Sequence, residues 1–311
     1  MSGAYGEAAN SSVSAAVEGK ALDVLFVALE LGITFWDTAD VYGEGRNEQL
    51  LSRALKTERS RVQLATKCGI TGRDEDGLRL NGRPDYIHGA CKASLKRLGV
   101  ETIDLFYLHR VDPQVPIEES VGAMGELVAQ GHVRYLGLSE ASPDTICRAH
   151  KEFPLSAVQS EYSLFSRRVE DEVLPVLREL KIGLVPYSPL GRGMLTGAVT
   201  LETEFEENDM RRMLPRFEKE NLGKNLRLVE EIKAAAKAHG CSPAQMALGW
   251  VLSQGDDIVP IPGTKRTSYL RDNAQAIQLV LSSQGREALA SISRQVAGER
   301  YPKSLMKAVP S

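Results

Sequence analysis

Three short apolar runs decide the reading of this chain: GITFWDTADVYGEG at residues 32–45, VQLATKCG at 62–69 and IDLFYLHR at 103–110. Each closes on a side chain able to do acid/base chemistry. Asp37 ends the first, with Tyr42 in the turn beyond it; Lys67 ends the second and His109 the third. Short β-rich runs alternating with helical spans predict parallel strands joined by helices. Consecutive parallel strands all end on one edge of their sheet, so the four side chains are expected to gather there.

The residue types complement one another. A tyrosine, with a reference pKa of about 10, donates its proton poorly at neutral pH unless its phenolate is stabilised. A nearby ammonium supplies that stabilisation, and Lys67 can provide it. Asp37 can keep Lys67 charged and fixed, because a buried ammonium without a carboxylate is costly. His109 can donate a hydrogen bond to a carbonyl oxygen beside the phenol. The set polarises a carbonyl and protonates its oxygen as negative charge develops. It contains no hydride source, so a hydride would come from a cofactor.

Asp37, Tyr42, Lys67 and His109 resemble the signature of the aldo-keto reductases: an Asp, a Tyr five residues on, a Lys ending the next strand and a His ending the one after. The segments GLSEASPDTI (137–146), VQSEYSLFSR (158–167), GLVPYSPLGRGMLTG (183–197) and VPIPGTKRTSYLRDN (259–273) follow in the family's order. The resemblance runs from about Met1 to Ala297 and is nearest to the plant perakine reductase and auxin-induced-protein branch. It implies an α/β fold, the (β/α)8 TIM barrel, and reduction of an aldehyde or ketone by NADPH with Tyr42 as proton donor. By the same resemblance Ser139, Glu140, Gln159 and Tyr187 would clamp the nicotinamide, with Glu140 standing where many relatives have Asn. Ser188, Pro189, Leu190, Gly191, Arg192 and Gly193 would wrap the pyrophosphate under a flap formed by residues 201–219. Lys265 and Arg266 would take the 2′-phosphate of NADP, and Asn273 the adenine. Tyr269, where many relatives have Arg, could stack on adenine. Relatives begin with a β-hairpin and a first strand; Met1–Gly6 corresponds to the tail of that strand. Either the protein begins upstream of this Met1, or the barrel lacks the N-terminal hairpin and most of strand one, which would leave two unpaired sheet edges.

At 311 residues the chain has the length of one such barrel, taken here as a single domain over 1–311. A net charge of -3 gives no electrostatic case for nucleic acid or an anionic membrane. No run reaches the roughly 20 apolar residues of a membrane span. Cys68, Cys91, Cys147 and Cys241 form no CxxC pair, which argues against a zinc site and a disulfide framework. The expected home is the cytoplasm and the expected partner a small-molecule carbonyl; oligomeric state is not encoded legibly. Two rivals stay open: a Schiff-base aldolase using Lys67, which would need a depressed lysine pKa, and a non-catalytic NADPH-binding sensor of the same fold.

Elsewhere the pattern predicts a loop over Thr71–Arg83, a helix over Val169–Leu180, a last strand over Ile258–Ile261, a terminal helix over Gly285–Val296 and a loop beyond Gly298. Trp36, Phe165 and Met194 are candidates for the pocket lining, but core or cofactor packing is the stronger expectation for each.

Overall fold

The computed structural model describes residues 15–75 and 77–306. Helix α1 (Ala15–Glu30) leads into β1 (Phe35–Asp37), α2 (Arg46–Glu58) and β2 (Gln63–Cys68). A hairpin, β3 (Ile70–Asp74) and β4 (Gly77–Leu80), precedes α3 (Pro84–Leu98) and β5 (Ile103–Leu108). The alternation continues through α4 (Ile117–Ala129), β6 (Val133–Ser139), α5 (Pro143–Glu152), β7 (Leu155–Glu161), α6 (Val173–Leu180) and β8 (Gly183–Tyr187). Helices α7 (Lys219–Ala238), α8 (Pro243–Leu252), α9 (Thr267–Ala274), α10 (Ser283–Ile292) and the single turn α11 (Lys303–Met306) complete it.

The long strands lie in the order β1-β2-β5-β6-β7-β8, every neighbouring pair parallel. With the interleaved helices they curl into the half-barrel of a (β/α)8 fold. Side chains alternate between two layers, as the pleat requires. Leu64, Phe106, Leu108, Leu136, Leu138, Val158 and Leu184 face the helices in the main core, which also takes up Trp36, Phe165 and Met194. Ala65, Leu105, Tyr107, Ala157 and Val185 face inward, with Phe35 and Ile261 packed against them. Asp37 and Lys67 lie two residues beyond Phe35 and Ala65 and so belong to the inward face, at its C-terminal end. Gly137 has no side chain for a packing reason: a Cβ there would lie 2.5 Å from the Tyr107 ring carbons.

Local signals account for most boundaries. Pro84 opens α3, and Gly99 at φ +67 ends it. Ser142 caps α5 by accepting from Thr145 N at 3.3 Å, and Ser242 with Gln245 forms a capping box on α8; each cap stabilises by about 1 kcal/mol.

Four expectations need correction. Thr71–Arg83 is not an unstructured loop, as its glycine and charge content suggested; most of it forms the β3–β4 hairpin, whose bulge between Ile70 and Gly72 interrupts strict alternation. Residues 169–180 do not form one helix: Arg168–Glu170 is a separate 3-10 turn before α6. Ile258–Ile261 runs beside β8, with Val259 N donating to Leu184 O at 2.9 Å and Ile261 N to Pro186 O at 3.0 Å. Pro186 of β8 has no N–H to return a bond to Val259 O, so the ladder stays at a single bridge, Leu184 with Ile258, rather than a strand. Beyond Gly298 the chain is loop only as far as Pro302: Lys303–Met306 forms a helical turn, and Arg300 and Tyr301 are bonded into the site described below. The expected remnant of strand one, Met1–Gly6, lies outside the described residues. Among the described residues no helix is long and apolar enough to cross a membrane.

Candidate active site

Three parallel strands bring the acid/base side chains together. Asp37 ends β1, Lys67 is the penultimate residue of β2, and His109 follows β5, its N–H donating to Cys68 O at 2.7 Å. Tyr42 arrives on the turn before α2, where Thr38 Oγ1 donates to Asn47 Oδ1 at 2.8 Å. Lys67 Nζ forms a salt bridge with Asp37 Oδ1 and donates to Thr38 O at 2.7 Å. It also lies 5.2 Å from the centroid of the Tyr42 ring. The Tyr42 and His109 rings meet edge to face, their centroids 5.8 Å apart. All four expected residues share one site.

Burial alone would disfavour the charge on Lys67. Asp37 and Tyr42 outweigh it, and the ammonium stands above the ordinary lysine range. His109 goes the other way: burial first, then Lys67 and Arg110, push it well below its usual pKa, so it is a neutral imidazole at pH 7. Its Nδ1 is buried without a hydrogen-bond partner. For Tyr42 burial raises the pKa more than Lys67 lowers it. Part of its side chain still reaches solvent, so this upward push is weaker than for a sealed phenol. A charged lysine therefore does not by itself make Tyr42 acidic, a correction to the expectation from residue types.

The expected cofactor residues form a floor continuous with this group. Gln159 Nε2 donates to Asp37 Oδ2 at 2.9 Å, so Asp37 is held from both sides. Ser139 Oγ accepts from Arg110 Nη1 at 3.1 Å, and the same nitrogen donates to His109 O at 2.6 Å. Arg110 is buried and escaped the sequence reading, although it adjoins His109 in the chain. Glu140, at φ +51, accepts from the Tyr187 hydroxyl at 2.8 Å and from both terminal nitrogens of Arg300 at 2.9 and 2.8 Å. Burial pushes its carboxyl up, but Arg300 and Arg110 prevail and hold it below the ordinary glutamate range. Arg300 and Tyr301 were also missed; they belong to the stretch taken for a loop.

Ser188 to Gly193 turns sharply. Ser188, Gly191, Arg192 and Gly193 all have positive φ, at 50, 56, 56 and 94°. Non-glycine residues in that region are costly and cluster at binding sites. Pro189 and Leu190 fill the turn that Gly191 N closes onto Ser188 O at 2.9 Å. The Arg192 side chain, expected at the pyrophosphate, is instead buried and paired with both oxygens of Glu161 at 3.0 and 2.7 Å. Residues 201–219 lie over this loop, with Arg211 Nη1 donating to Arg192 O at 3.4 Å. Lys265 acts electrostatically on Asp209 in the same segment. Arg266 donates to Tyr269 OH at 3.1 Å and lies over its ring, and both are exposed; Asn273 is buried on α9.

The charges suit a polyanion. Arg110, Arg192, Arg216 and Arg300 outnumber the carboxylates that act on them among the described residues, Glu140 and Glu161 together with Glu299 beside Arg216. Repulsion from Arg192 and Arg300 adds to burial in lowering the Arg216 pKa. A dinucleotide pyrophosphate would offset that excess, so the residues fit NADP as they stand.

The profile of the Aldo/keto reductase family matches residues 5–294. A "Probable aldo-keto reductase 1" of Glycine max is 49% identical over 291 residues, covering 93% of this chain and 84% of that protein. An "Aldo-keto reductase yakc [NADP(+)]" of Schizosaccharomyces pombe is 47% identical over 287 residues, covering 90% and 84%. Among solved structures, a glycerol dehydrogenase from Gluconobacter oxydans superposes with a TM-score of 0.84 at 31% identity, covering 94% of this chain and 90% of that one. An aldo/keto reductase from Klebsiella pneumoniae, solved with NADP and acetate, superposes at 0.71 with 25% identity and the same coverage.

Proposed function

The chain belongs to the aldo/keto reductase family, and on that premise we propose that it is an NADP-dependent oxidoreductase that reduces an aldehyde or ketone, with Tyr42 as proton donor. The observation that carries this reading is the Asp37–Lys67 salt bridge beneath the Tyr42 ring, which faces neutral His109. NADPH, when bound, supplies the hydride. Ser139, Glu140, Gln159 and Tyr187 form the floor for the nicotinamide, the 188–193 turn cradles the pyrophosphate through its backbone, and Lys265 and Arg266 take the 2′-phosphate. Asn273 faces the adenine.

Tyr42 and His109 both donate to the carbonyl oxygen as it gains charge. Tyr42 then gives up its proton, and Lys67 stabilises the phenolate left behind. A raised phenol pKa suits this direction, because Tyr42 stays protonated throughout the neutral range. The Lys67 aldolase reading loses support for a related reason: a Schiff-base lysine must be neutral to attack, and Asp37 keeps this one charged. The sensor reading differs only in turnover.

Purified protein with NADPH and an activated aromatic aldehyde, assayed beside Tyr42→Phe, tests the proposal. NADPH oxidation that falls about 1000-fold in the variant is the expected result. NADP binding without turnover in the wild type would favour the sensor, and equal rates would remove Tyr42 from its role.

A further inference from the structure

The segment 298–306 runs from the Pro215–Phe217 turn, past the ends of β8 and β6, to the hairpin after β2. Its start is clamped. Asn225 donates to Ala297 O at 2.9 Å and accepts from Ala297 N at 2.8 Å, and Arg216 Nε donates to Gly298 O at 3.3 Å. Gly298 sits at φ +85, and a Cβ there would lie 2.8 to 3.0 Å from Asn221 Nδ2, Pro215 C and Arg216 N, so only glycine fits. Its far end rests on the hairpin, where Ser304 O lies 2.9 Å from the Cβ position of Gly77.

Between these anchors the segment meets Glu140. That carboxylate accepts from Arg300 twice, from the Tyr187 hydroxyl and from Glu161 N at 3.0 Å. All of these partners are donors, and an ionised carboxylate is acceptor-only, whereas an amide at this position would turn an NH2 toward one of them. Tyr187 has one hydroxyl proton and gives it to Glu140. In the 3.1 Å contact between the Tyr187 and Tyr301 hydroxyls, Tyr301 must therefore be the donor. The Arg192 guanidinium lies 4.7 Å from the centroid of the Tyr301 ring, which joins the segment to the glycine turn as well.

We propose that residues 298–306 form a strap latched to the cofactor floor, in which Arg300 and Tyr301 are positioning residues that hold Tyr187 in place for the nicotinamide. The proposal rests on the NADP reading above. It makes Glu140 half of a pair whose other half is 160 residues away, and it ties the floor to the β3–β4 hairpin.

Calorimetric titration with NADP+, together with thermal unfolding of the free proteins, tests the strap. Arg300→Lys keeps the charge but not the two-pronged contact, and Tyr301→Phe removes only a hydroxyl. NADP+ binding is expected to weaken about 10-fold in the first and about 3-fold in the second, while each free protein melts within about 4 °C of wild type. Glu140→Gln with Arg300→Met should bind no more weakly than Glu140→Gln alone, because the two residues act as one unit. Folded Arg300→Lys and Tyr301→Phe proteins that bind like wild type would overturn the strap, as would strictly additive losses in the double variant. A wild type that binds no NADP+ would instead overturn the cofactor reading beneath it.

Discussion

The acid/base group and the proposed cofactor floor adjoin one another but are assembled differently. Asp37, Tyr42, Lys67 and His109 come from consecutive strand ends in a single stretch of chain. The floor draws Ser139 and Glu140 from β6 and its end, Gln159 and Glu161 from β7, Tyr187 from β8, and Arg192, Arg300 and Tyr301 from loops. The first group is positioned by strand register and needs few ion pairs. The second is positioned by bidentate arginine–carboxylate pairs that cross the molecule. Parallel strands bring neighbours in sequence together at one edge, whereas only specific polar contacts select partners that the chain brings from afar.

This contrast can be broken experimentally. The largest effect is expected for Lys67→Met, which should lower the turnover proposed above about 1000-fold while leaving the NADP+ dissociation constant within about 2-fold of wild type. A matching loss of cofactor affinity would merge the two regions into one. Glu161→Ala should act through stability, since it leaves Arg192 and Arg216 without their buried carboxylate; urea denaturation should show a loss of about 3 kcal/mol. An unchanged urea midpoint would mean that the floor does not depend on its ion pairs.

The pH dependence should separate the two directions of the reaction. Because burial raises the Tyr42 pKa, the phenol is protonated through the neutral range. Carbonyl reduction should stay level there and fall only in alkali, while alcohol oxidation, which needs the phenolate, should rise with pH. A reduction rate that drops below pH 7 would place another group in control.

The smallest effect concerns Asp40, between Asp37 and Tyr42. Burial, with help from Glu48, raises its pKa to about 7, and its Oδ1 is buried without a partner. The folded chain therefore binds a proton more readily than the unfolded one, and stability should be lost as pH rises from about 4 to about 7. Asp40→Asn should recover about 1 kcal/mol at pH 8 and nothing at pH 4, a modest figure because the side chain is partly open to solvent. Equal melting curves at both values would show that Asp40 is solvated.

How much the sequence revealed follows the same division. The strands that carry Asp37 and Lys67 and lead into His109 were readable because apolar period and chain order determine them. The floor was readable only in part. Tyr187 and Gln159 lie on strands, but Arg110 was hidden beside the more conspicuous His109. Arg300 and Tyr301 sit in a polar stretch with no periodicity, where the residues alone look like solvated loop. The hairpin at 70–80 was missed because glycine, charge and a bulge mask its alternation. Glu140 looked like a defect in the pattern until Arg300 was placed against it. A single unexpected charge on an inward-facing loop is therefore a reason to search the rest of the chain for its counterion.

The latch also bears on how the protein is made. A ribosome completes Glu140 well before it reaches Arg300, and domains begin to fold while synthesis continues. Glu140 cannot leave water at low cost until a cation 160 positions later has been added. Formation of the floor therefore waits until residue 300 has been translated, and a nascent chain stalled before it would leave Glu140 without its counterion.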